Sequence, residues 1–68
     1  MALSDIANTK IAWRKGEIKQ LLNGFGRDFI ANTINEIVCK EMNISIDDAR
    51  KMKTIKPSIV KIILLEFE

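Results

Sequence analysis

Apolar residues recur at helical spacing through most of the chain. After Phe29 come Ile30, Ile34, Ile37, Val38 and Met42, with Asn32, Asn35, Glu36, Lys40 and Glu41 filling the other face. One apolar and one polar face predict an amphipathic helix from Arg27 or Asp28 to Glu41 or Met42. Asp28 suits its first turn, where the helix dipole favours an acid. Upstream, Ile18, Leu21, Leu22 and Phe25 keep strict helical spacing, while Ile6, Ala7, Ile11 and Trp13 follow it loosely. Gly16 interrupts the pattern and costs about 1 kcal/mol in a helix interior. The segment therefore predicts either one kinked helix capped by Ser4 or Asp5, or a short helix followed by a second from near Lys15. Asn23 to Gly26 is expected to close it, with glycine as the usual left-handed C-cap residue.

Asn43-Ile44-Ser45 reads as a turn. Ser45 is a candidate N-cap for a helix over Ile46 to Lys53, with Asp47 and Asp48 in its first turn and Arg50, Lys51 and Lys53 towards its end. Pro57 cannot continue that helix but can open the next. Ile59 to Phe67 is apolar nearly all round, so it needs more than one packing partner. Helix is preferred over strand there, because no other segment reads as a strand to pair with it. The expectation is one small all-α domain over residues 1–68. It would be a bundle of four or five short helices with a helix-turn-helix-like corner. Its core is expected from Ile18, Leu21, Leu22, Phe25, Phe29, Ile30, Ile34, Ile37, Val38, Met42, Ala49, Met52, Val60, Ile63 and Leu64.

Composition narrows the chemistry. The chain has 68 residues, one cysteine and no histidine. No internal disulfide can form, and a single thiol cannot build a zinc site. A domain this small buries only about 60% of its unfolded surface, so helix packing or self-association must supply its stability. The apolar C-terminal segment is the candidate homodimer contact, or a junction with further chain. There is no tyrosine. Ser4, Ser45 and Ser58 stand at expected helix starts, and Cys39 has only Lys40 beside it to activate a thiolate. No catalytic residue, metal ligand or cofactor is therefore expected, and the chain reads as a non-enzyme. The run from Ile62 to Leu65 is far too short for a bilayer. Residues 1–10 lack a leader pattern. A cytoplasmic protein is expected, with no membrane partner.

The net charge is +2, but it is unevenly placed. Residues 1–30 carry +2, residues 31–49 carry −3 and residues 50–68 carry +3. Two basic segments thus flank an acidic middle, a distribution suited to solvated helix faces or to an anionic partner.

Val38, Cys39, Met42, Asn43, Ile44, Ala49 and Met52 carry the corner. A small residue lets the helices approach, a turn-forming Asn separates them, and apolar residues lock the second to the first. The pattern resembles the helix-turn-helix of small DNA-binding regulators. By that resemblance duplex DNA is the partner, and Ser45, Ile46, Asp47, Arg50, Lys51 and Thr54 would face outward from the recognition helix. Arg50 and Lys51 would contact phosphate or guanine, and Lys53, Lys56 and Lys61 would hold the flanking backbone. Asp47 and Asp48 stand where this motif approaches the major groove, and phosphate repels them. Met42-Asn43-Ile44 with Ala49 is also similar to the ubiquitin-associated domain, whose Met-Gly-Phe loop follows the first helix. Here Asn and Ile replace the glycine and the aromatic. That similarity implies a protein-interaction module, an adaptor or inhibitor, with Ile46, Ile62 and Leu65 as the exposed apolar contacts.

Overall fold

A computed structural model describes residues 3–68. The described residues are mostly helical, with 70% of them in helices and one two-stranded sheet among them. A 3-10 helix spans Leu3–Thr9, and strand β1 covers Trp13–Arg14. Three α-helices follow, α1 (Lys15–Leu21), α2 (Arg27–Met42) and α3 (Ile46–Lys51). Strand β2 (Thr54–Ile55) and helix α4 (Pro57–Glu66) complete it.

The amphipathic pattern from Phe29 onward forms α2 with the expected bounds. Ile30, Ile34 and Val38, one turn apart, are buried along its inner line. Asn43 ends it in the left-handed conformation at φ 55°, and its N–H returns to the Cys39 carbonyl. Asn tolerates that conformation better than most residues because its short polar side chain bonds locally. The Cys39 thiol donates to the Ile44 carbonyl at 2.8 Å and ties the turn to α2. Ser45 caps α3 as expected, its hydroxyl accepting the Asp48 N–H at 3.1 Å. Pro57 stands at the start of α4.

Several expectations change. The first segment takes the second of its two expected forms, a short helix and then another from Lys15, rather than one kinked helix. It is a 3-10 turn, an extended dipeptide and a separate helix from Lys15. Among the described residues no glycine takes positive φ, so α1 closes on Leu22 without a left-handed glycine. The third helix stops at Lys51, two residues short of the expected end, because Met52 turns extended. Pro57 also pushes Lys56 out of the helical region, to ψ 145°. The stretch between them runs extended and pairs antiparallel with β1, Trp13 opposite Ile55 and Arg14 opposite Thr54. Phe25 and Phe29 were expected in the core but are 45% and 60% exposed. Phe29 begins a side row of α2 with Thr33 and Ile37, off the buried line.

The core gathers instead around α4. Ile59, Val60, Ile63, Leu64 and Phe67 are buried, joined by Ala7, Trp13, Ile18, Leu22, Ile55 and the inner line of α2. The 3-10 helix packs on one side of α4 and α2 on another, which gives this all-round apolar helix the two partners it requires. Ser4 was expected to cap a helix. Its N–H and hydroxyl both donate to Glu68 Oε1, at 3.0 and 3.2 Å, joining the 3-10 helix to the end of α4.

Candidate functional site

The β1–β2 pairing decides which charges meet. Trp13 and Ile55 point into the core, so the alternation of a strand turns Arg14 and Thr54 outward as a cross-strand pair. The ladder continues through a bond from the Lys15 N–H to the Lys53 carbonyl at 3.3 Å. Residues 14–19 are thereby laid beside residues 50–56, more than thirty positions away in sequence. Together these two segments hold seven cations and one carboxylate, a balance of +6, and the remainder of the chain holds −4. That one carboxylate, Glu17, is engaged already. Its pKa is held down first by the Lys10 ammonium and then by the Arg14 N–H, which donates at 2.9 Å.

Lys15 locks this region together. Its ammonium donates to Asn35 Oδ1 on α2 at 2.8 Å, and to the carbonyls of Ala49 and Arg50 at the end of α3. One side chain of α1 thus caps α3 and fastens it to α2. Lys15, Lys19 and Arg50 border a cleft of about 100 Å3 with Asn35, so three cations from two helices share one recess. Burial first, and the neighbouring Lys19 ammonium second, push the Lys15 pKa below 10.5. A base whose pKa falls on folding binds fewer protons in the fold than in the unfolded chain, so its contribution to stability rises with pH through the interval below that value. Replacing Lys15 with Met is expected to cost about 1–2 kcal/mol through the missing charge-assisted bonds. The gap in melting temperature between wild type and Lys15→Met should widen as the pH rises towards 10.5. A gap that narrows over that range contradicts this account of Lys15.

The residues singled out in the sequence are placed as follows. Arg50 and Lys51 stand in the last turn of α3, Lys53 just before β2 and Lys56 at the N-cap of α4, all exposed. Thr54, expected on the recognition helix, lies on β2 instead. Ser45 is at the far end of α3, with its hydroxyl used as the cap, beside Asp47 and Asp48. Lys61 is exposed on α4, outside the paired segments. Ile46 is 38% and Leu65 50% exposed, while Ile62 is half-buried. The sequence reading missed Arg14, Lys15 and Lys19 as members of the same region. The signal was the pre-proline position of Lys56, which predicts extended backbone and hence a strand seeking a partner.

A second feature lies around Phe67. Phe25 meets its ring edge-on at 4.9 Å and Phe29 at 5.6 Å. Beside Phe29 runs an open groove of about 360 Å3 floored by Ile37 and Phe67 and edged by Glu36, Lys40 and Glu66.

Comparison of the chain with protein-family models, with curated proteins and with solved structures finds no match.

Proposed function

We propose that this protein is a small, non-catalytic DNA-binding regulator that grips the duplex through the basic region around β1, β2 and the last turn of α3. One observation carries the reading: the β1–β2 pairing sets the segment holding Arg14, Lys15 and Lys19 beside the segment holding Arg50, Lys51, Lys53 and Lys56, and the two segments together contain a single carboxylate. A region of +6 on a chain of +2 suits a polyanion. The helix-turn-helix resemblance is modified by this placement. The acids Asp47 and Asp48 mark the N-terminal end of α3 and the cations its C-terminal end. Helix α3 then meets the phosphate backbone with its last turn, and Arg14, Lys53 and Lys56 extend that contact along the strand.

Titration of a fluorescent duplex at rising salt tests this. Contacts to about five phosphates give a slope of about −4.5 for log affinity against log salt. No detectable duplex binding at low salt would end this reading.

A second reading, a protein-interaction module of adaptor or inhibitor type, draws on the exposed rings of Phe25 and Phe29 and on Leu65. In the ubiquitin-associated similarity Met42 and Ile44 would form the contact loop, yet both pack partly against the core. The aromatic pair is the better candidate surface. Phe29→Asp should abolish capture of such a partner and leave duplex affinity unchanged.

A further inference from the structure

The basic region continues into a second recess that carries different chemistry. Between α1 and α2 an open pocket of about 570 Å3 is lined by Lys19, Gln20, Asn23, Phe25 and Arg27 over Ile30. Its charged groups are both cations. Its neutral polar groups are two side-chain amides, each offering donors and an acceptor. The Phe25 ring meets Phe67 edge-to-face at 4.9 Å and, 45% exposed, lines the pocket. Lys19 borders both this pocket and the cleft formed with Lys15 and Arg50. Lys19 is therefore a wall common to both recesses, which sets the cations of the cleft next to the pocket that Phe25 lines.

A ligand that satisfies all of these groups has a flat apolar face for Phe25, hydrogen-bonding edges for Gln20 and Asn23, and an attached anion for Lys19 and Arg27. We infer that the pocket takes an unpaired nucleobase stacked on Phe25, from a strand whose phosphates lie on Lys19, Arg27 and Arg50. This rests on the nucleic-acid reading above and sharpens it, since a base inside a duplex cannot reach such a pocket. The favoured ligand is then a duplex that ends in, or opens into, single strand. Aromatic stacking of this kind tolerates any base, so the pocket adds affinity for an exposed strand and little sequence preference.

Three probes test the inference: a blunt duplex, the same duplex with a short single-stranded extension, and that extension carrying 2-aminopurine at its first unpaired position. The extension should tighten binding about tenfold over the blunt duplex, and the 2-aminopurine emission should be quenched on binding. Phe25→Leu keeps an apolar contact to Phe67 but removes the ring. It should remove most of the gain from the extension, leaving only what the phosphate contacts supply, abolish the quench and leave blunt-duplex binding unchanged. Emission of the buried Trp13 verifies that the variant is folded. Equal affinity for blunt and extended probes would overturn the inference and leave the duplex reading standing. Tighter binding of the extension that survives Phe25→Leu undiminished would overturn the stacking site. Binding to neither probe removes the inference together with the reading beneath it. Wild-type binding of an acidic peptide that disappears in Phe25→Leu, with no preference for the extension, would assign the pocket to a protein partner and overturn the inference.

Discussion

Trp13→Ala is expected to leave the chain largely unfolded at 25 °C. The indole is 4% exposed, and its N–H donates to the Ala7 carbonyl at 2.9 Å. Its backbone pairs with Ile55, and the Lys10 ammonium lies 4.6 Å from the ring centre. Removing a buried Trp costs about 3–5 kcal/mol in forfeited burial and residual cavity. A domain of this size has only about 3–10 kcal/mol in total, at roughly 0.05–0.15 kcal/mol per residue. Trp13→Phe separates the two contributions. It keeps an aromatic ring in the site but leaves the Ala7 carbonyl without its donor, at about 1–2 kcal/mol, or a fall of roughly 4–16 °C in melting temperature. Thermal melts followed by circular dichroism read both. A Trp13→Ala chain that melts cooperatively within a few degrees of wild type would refute the central position given to this residue.

The second large effect is on binding. Arg50→Ala with Lys51→Ala should weaken duplex binding about 60-fold at about 0.1 M salt and make the salt slope shallower by about two. The figure follows from releasing two phosphates, each worth about 0.9 in the slope, and extrapolating from a common affinity near 1 M. Both side chains are exposed, and the carbonyl of residue 50 that Lys15 uses is backbone, so the fold should be unaffected. Lys40→Ala serves as the control, because Lys40 edges the groove with Glu36 and Glu66, outside the basic region. A loss of about 8-fold in the control, the same effect per charge removed, would mean that net charge alone governs binding and that the placement of the cations is irrelevant.

The sequence made α2, the Ser45 cap, the Pro57 start and the helical state of α4 legible, for physical reasons. A long amphipathic period, a hydroxyl before two acids and a proline each act locally, within a turn of the chain. The pairing of β1 with β2 was not legible. Two-residue strands are too short to show alternation, and their partners lie about forty residues apart. The exposure of Phe25 and Phe29 was hidden for a related reason. Periodicity says that a residue lies near the apolar face, but only the position of α4 decides which edge of that face is covered. The candidate site was half visible. Two basic segments could be counted in the sequence, yet nothing local indicated that they converge, or that Lys15 would reach across to hold α3.

That convergence has a consequence for the fold itself. Seven like charges brought together by folding repel one another more in the native chain than in the unfolded one, where the two segments drift apart. Screening by salt relieves that repulsion. Ionic strength therefore moves the molecule in opposite senses, steadying the free protein while loosening its hold on a polyanion. At low salt the domain is least content alone, and an anionic partner that neutralises the region stabilises the native state as it binds.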